Sequence, residues 1–330
     1  MWKNNWKIAF RHLLKHKTAS AVNISGLAIG MAACLLILQY ISFHWSFDHY
    51  HDNGKNIYRV INDRFQNGKL VQHGTITYSA IGRAMQEDFP DDVAAYCRVY
   101  RFNSLILVYG DKKSDEQGIA VDDNFFRMFS FPLLAGNAAT ALENANCIIL
   151  SETVARKLVS GGTDYRSLLN QAITIENDTI PYKITGIVAD PPANSHMKFA
   201  FLFSYRSLYS GGNGNWKEAD HDFSTSDFYH YIQLKPGADY QAFNKKLAGF
   251  SQKHFDGNKV SGSDEVFYLQ PHYQTHLYSD LEYDFADTNS AVTIWGLLAI
   301  ALFIIINAWV NYINLATAAF GRTRQRGGYS

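Results

Sequence analysis

Twelve histidines are scattered through the 330 residues, and His49 with His51 and His272 with His276 are among those that approach the spacing of metal ligands. Imidazoles two or four residues apart share an ion only when further ligands join them. Isolated pairs of this kind are ordinarily surface residues, so the sequence predicts no metal centre. Hydrolytic and nucleotide chemistry lack support too, because no GxxxxGK[ST], HExxH, paired CxxC or GxSxG occurs. The expectation is a chain that is no enzyme, hydrolyses no ATP by itself and carries no cofactor. One polar constellation has regular spacing: Asn307, Asn311 and Asn314, at i, i+4 and i+7 of an otherwise apolar stretch. Three amides on one helix face need partners in a lipid environment. The stripe therefore predicts contact with another helix, with a polar translocation path as the alternative.

The elements that carry these residues are set by charge. No Asp, Glu, Lys or Arg occurs from Thr18 to Phe47 or from Thr288 to Gly321, and about 20 apolar residues suffice to cross a bilayer. The first stretch is too long for the 7–15-residue core of a signal peptide. It also runs past Met31-Ala32-Ala33-Cys34, which only loosely matches a lipoprotein cleavage site. Lys3, Lys7, Arg11, Lys15 and Lys17 precede it, and Arg322, Arg324 and Arg326 follow the second stretch. The other 22 basic residues and all 30 acidic ones lie between, a net −8. Basic flanks stay cytoplasmic, so both termini are expected inside and the large domain in the periplasm of an inner-membrane protein. Both charge-free stretches exceed what a bilayer needs, so both helices are expected to project beyond it.

The expected organisation is a cytoplasmic amphipathic helix over 1–17, a transmembrane helix over 18–47, a periplasmic domain over 48–288, a second transmembrane helix over 289–314 and a cytoplasmic tail over 315–330. In the first helix Trp2 and Trp6 lie on an apolar face and Lys3, Lys7, Arg11 and Lys15 form a cationic ridge, a pattern suited to the lipid headgroup layer. Gly26 and Gly30 form a GxxxG through which another helix could approach closely. Cys34 falls inside the membrane. For Cys97 and Cys147 the sequence gives no geometric warrant for a disulfide, and free buried thiols are expected.

Between the spans, alternation and breakers predict an α+β domain. Strands are expected at 57–61, 93–100, 104–108, 147–150, 229–233 and 266–269, with a hairpin from 173 to 188. Helices are expected near 78–89, after Ser151 as N-cap, and near 239–254. The Phe125–Leu133 cluster reads as core, Asp190–Ser195 as a turn and Gly211–Gly214 as a flexible loop.

Five stretches carry a resemblance: WKIAFRHLLKHKTASAVNISGLAIGMAACLLIL, FDHYHDNGKNIYRV, VDDNFFRMFSFPLLAGNAATAL, YKITGIVADPPANSHMKF and YINLATA. With these the chain resembles the N-terminal half of an FtsX-like, MacB-type ABC transporter permease of the variety found in Bacteroidetes. The resemblance implies two transmembrane helices flanking an α+β periplasmic domain: a porter-like βαβ part (50–118 and 228–272) with an inserted, mostly-β subdomain (about 119–227). It also implies a separate ABC ATPase subunit that binds the ATP, and a homodimer or second permease half. Membrane lipids, with periplasmic or outer-membrane components, complete the implied partners, and nucleic acid is not among them. The implied function is mechanical coupling of the ATPase to export or extraction of a substrate. After YINLATA such permeases continue into a basic, Glu-containing segment, where this chain reads RTRQRGGYS. The alternative class is a two-span sensor of a periplasmic ligand or a regulator of a periplasmic partner, for which a cytoplasmic output domain would be expected.

Overall fold

The computed structural model describes residues 17–159, 164–209, 220, 221, 223, 226–255 and 262–326, without the side chains of 19, 20 and 314–326. The expected amphipathic helix, with Trp2, Trp6, Lys3, Lys7, Arg11 and Lys15, lies outside them apart from Lys17, as does the Gly211–Gly214 loop. The chain divides into two compact units, one made of the terminal segments up to Trp45 and from Ser290, the other of Ser46–Asn289.

The first unit is a pair of antiparallel helices, α1 (Lys17–Trp45) and α6 (Ala291–Arg326). Both are long and apolar enough to cross a membrane, over Ala21–Trp45 and Ala291–Ile313. At 1.5 Å per residue α6 reaches roughly 54 Å, beyond the ~30 Å of hydrocarbon. The helices meet at Trp45 against Trp295, with ring centroids 5.8 Å apart, and at the Cys34 thiol, which points to the Ala301 carbonyl.

The second unit is built on a split βαβ pair. Strand β1 (Ile57–Gln66), helix α2 (Ile81–Asp88) and strand β4 (Val93–Tyr109) form one half; β11 (Ser226–Leu234), α5 (Tyr240–Phe255) and β12 (Asp264–Pro271) form the other. They assemble in the order β12-β1-β11-β4, all antiparallel. Strand alternation explains why both faces are buried. Val60, Ile232 and Leu269 pack under Met85 of α2 and Phe243, Leu247 and Phe250 of α5. Ile57, Val99 and Tyr231 pack on the other face under Phe125, Phe129 and Phe131. Phe243, Leu247 and Phe250 recur at i, i+4 and i+7, one stripe of a helix. The side-chain amide of Asn244 bonds both the N–H and the C=O of Leu269, fastening α5 to the edge strand.

The insertion does not form a sheet of its own. Strand β5 (Lys112–Val121) pairs with β4 along its whole length, and β10 (Phe201–Ser204), β7 (Cys147–Ser151), β9 (Tyr182–Val188) and β6 (Leu133–Gly136) extend the same sheet. The short strands β2 (Lys69–Gly74) and β3 (Ile76–Tyr78) pair with β1 and β11, and β8 (Ala172–Ile175) with β4 and β9. Two further helices are short, α3 (Phe125–Met128) and α4 (Glu152–Leu158), and the Ser151 hydroxyl caps α4 by accepting from Val154. The two strands expected at 93–100 and 104–108 are one, interrupted by a register shift between Phe102 and Leu105. Cys34, Cys97 and Cys147 are all free and buried.

Gly118 sits at the seam between the two halves of this sheet. It is paired with both Phe102 and Phe201, and a methyl group there would overlap the buried Phe201 ring. Overpacking a closed core costs about 1–3 kcal/mol. Gly118→Ala is expected to destabilise the domain by that amount in chemical denaturation, whereas Gly110→Asn, in an open turn at positive φ, should cost under about 1 kcal/mol.

Candidate functional site: a buried histidine–carboxylate junction

Three chain segments converge beside the aromatic core: residues 46–52, which follow α1 in sequence; residues 272–289, which precede α6; and the 190–198 loop of the insertion. Asp48 is the centre. It adopts φ 60°, a left-handed conformation that Asp tolerates, and it is 1% exposed. Its Oδ1 accepts the His196 backbone N–H at 3.0 Å, and its Oδ2 lies 2.9 Å from His196 Nδ1. Its own N–H donates to the Asn194 carbonyl, and the Asn194 amide donates to the carbonyl and hydroxyl of Ser46. Tyr50 adds a bond from its hydroxyl to Ser195 Oγ at 2.8 Å. On the far side His196 Nε2 is 2.8 Å from the Tyr231 hydroxyl of β11.

The segment before α6 joins through rings. His276 stacks on Phe47, with centroids 3.4 Å apart and planes 4° apart. His272 is fully buried, 4.6 Å from the His196 ring and 5.2 Å from the His51 ring. The fully buried Arg59 of β1 holds this segment further along, donating to Asp284, Gln270 and Ser279. His51 accepts the Ser130 N–H on Nδ1 at 3.0 Å, and the Asp52 N–H donates to the Ser130 hydroxyl.

The surface expectation for the two histidine pairs is therefore corrected. His49 is exposed, but His51, His272 and His276 are buried. Sequence spacing could not show this, because the groups that cover them come from distant positions: Ser130 for His51, His196 for His272 and Phe47 for His276. The signal that existed was the density of polar residues in FDHYHD and PPANSH, in stretches otherwise rich in core residues.

Asp48, His51 and His272 place one ligand atom each within 4.8 Å of one another. The donor chemistry does not suit a cation. With its Nδ1 lone pair committed to the Ser130 amide, neutral His51 carries its proton on Nε2 and has no lone pair left to offer. That N–H and both ring nitrogens of His272 lack hydrogen-bond partners. The group is a compact set of proton donors and acceptors.

Its electrostatics follow. Burial alone would raise the Asp48 pKa, but the His196 and His272 rings and the His196 hydrogen bonds hold it well below the usual carboxylate range. Burial lowers His51 to about 4, against the opposing pull of Asp48, and lowers His272 well below 6.5, with His196 acting in the same direction. His230, buried in β11 with Nδ1 accepting the Gly82 N–H, is lowered to about 3 by burial and then by Arg98.

The other predicted residues occupy the helix pair. A methyl group added at Gly30 would meet Ile304 Cγ2 of α6 at 3.4 Å, an ordinary contact, whereas one added at Gly26 would meet nothing within 4 Å. Asn307 is exposed, its amide donating to the carbonyl of Phe303 one turn back, and Asn311 is half-buried. The Asn314 side chain lies outside the described residues. α1 is thus no partner for the amide of Asn307.

A family model of the MacB-like periplasmic core domain matches residues 20–250. The chain belongs to this family. The solved structure of a domain from a protein described as a permease, from Porphyromonas gingivalis, is similar to it, with a TM-score of 0.54 and 20% identity over 67% of this chain and 92% of that one. Two further likenesses have TM-scores of 0.44. One is the periplasmic region of MacB from Actinobacillus actinomycetemcomitans (12% identity; 66% and 90% covered), the other the extracellular domain of the noncanonic ABC-type transporter YknZ from Gram-positive bacteria (13%; 65% and 100%). No curated protein matches the chain. In this member of the family two membrane-compatible helices flank an α+β MacB-like domain.

Histidines kept neutral by folding fix the sign of the pH dependence. Between pH 6.5 and about 4 the unfolded chain takes up protons at His51, His272 and His230 that the folded MacB-like domain refuses. Stability is fully present above pH 6.5 and falls as pH drops through that window. Each such group contributes a slope of about 1.4 kcal/mol per pH unit. Denaturation midpoints measured from pH 7.5 to 4.5 should fall steeply, and added Zn²⁺ or a chelator should leave them unchanged at pH 7.5.

Proposed function

We propose that the chain is the membrane-embedded permease subunit of an ABC system in which a separate ATPase moves α1 and α6 and the buried junction delivers that motion to the MacB-like domain, driving export or extraction of a substrate. The observation that carries this reading is the convergence at Asp48. The segments continuing from α1 and leading into α6 are locked to each other and to the insertion, so displacement of either helix loads the domain at one packed point. Buried, closely packed groups transmit strain because they cannot relax singly.

The charge distribution supports both termini in the cytoplasm and the domain in the periplasm, since eight basic residues flank the spans and the region between carries −8. The exposed Asn307 and half-buried Asn311 favour a further helix beside α6, from a second copy or a second permease half.

The full-length protein, purified under mild detergent, should retain an ABC ATPase subunit. In nanodiscs with that ATPase, Asp48→Ala should leave ATPase binding intact while lowering substrate-dependent stimulation of ATP hydrolysis at least fivefold. Failure to retain any ATPase would remove this reading. A periplasm-active reporter fused after residue 150 should be active, and a silent one would reverse the orientation.

A further inference from the structure

We propose that the junction is a proton-operated latch: acidification of the compartment around the domain releases residues 46–52 from Ser130 and from the 272–289 segment while the sheet stays folded. The inference starts from one bond. His51 Nδ1 is an acceptor for the Ser130 N–H at 3.0 Å. A proton added to His51 can only go to Nδ1, because Nε2 already bears one. Protonation therefore turns that acceptor into a donor facing an amide donor, and the bond must break. A second effect adds to it. His51, His272 and His196 lie within 4.6–5.2 Å of their nearest ring neighbour in the group. Imidazolium charges on His51 and His272 would then face the single carboxylate of Asp48.

The surroundings do not offset this. The charged groups facing His51 are Asp48, His196 and Asp52. Those facing His272 are His196, Asp48, His51 and Arg59, and Arg59 is committed to Asp284. The remaining neighbours are rings: Tyr50, Phe129 and Phe131 around His51, Phe129 and Tyr231 around His272. The depressed basicity of both imidazoles places opening on the acid side of neutrality. The sheet does not depend on these groups. Its strands are held by backbone ladders and three apolar clusters, so the junction opens as a local unit. An acid shift would then uncouple helices from domain without unfolding the protein.

The consequence for transport rests on the proposed function, but the latch itself does not. It can be read on the purified full-length chain without any ATPase, so the two can fail separately. Amide hydrogen exchange is measured by mass spectrometry at pH 7.5, 6.0 and 5.0 and corrected for intrinsic rates. Peptides covering 46–52 and 272–289 should lose at least tenfold protection at pH 5.0, together, and exchange there at least tenfold faster than those covering β1 and β11. His51→Asn keeps an acceptor at the Nδ1 position that cannot be protonated. Combined with His272→Phe it should hold the loss in both segments below threefold. Wild-type protection in these two segments that is unchanged, or that at pH 5.0 is no lower than in the strands, overturns the latch. So does a folded double variant that opens as readily as the wild type.

Discussion

A buried carboxylate with no alternative partner is the constraint from which the rest of the site follows. Taking Asp48 out of water costs several kcal/mol unless charge-assisted bonds repay it. Repayment comes from one residue, His196, through both its backbone N–H and its ring. That fixes the insertion loop against the residues following α1 and orients the His196 ring toward Tyr231 of the central strand β11. His272 and His51 then fill the space between Asp48 and the aromatic core. Neutral imidazoles suit that space, because charged ones would compete for the same carboxylate.

This arrangement sets where a permease of this family can be stiff. The split βαβ core is buried on both faces, and the insertion continues its sheet across the β4/β5 seam. A load applied at Asp48 thus reaches β11 through Tyr231 and the insertion through the 190–198 loop at once. The junction is a polar island among these apolar layers that joins three distant chain segments, and its imidazoles make it sensitive to protons as the layers are not.

Much of this architecture is legible in the sequence. The charge-free stretches locate both helices, period-2 alternation finds β1, β11 and β12, and the Ser151 cap with Glu152 marks the start of α4. Strands such as β5 (KKSDEQGIAV), with charged residues on its exposed half, lack the apolar signal that alternation requires, because pairing with β4 along its whole length stabilises them instead. The site was readable only in part. FDHYHD, NSH and HYQTH are visible as polar clusters, but their meeting depends on contacts across 145 and more positions. Local spacing therefore misassigned His51, His272 and His276 to the surface. The asparagine stripe shows the opposite limit: its period is plain in sequence, while the partner that would satisfy Asn307 is not α1.

The central claim is that the segments next to α1 and α6 are energetically one unit, and a double-mutant cycle across Phe47 and His276 tests it most directly. With Phe47→Leu, His276→Leu and the double variant measured by chemical denaturation of the full-length chain at pH 7.5, a stacked buried pair predicts a coupling energy of about 1 kcal/mol or more. Additive effects, with coupling below about 0.3 kcal/mol, would mean that the two segments merely lie side by side, and would contradict the account.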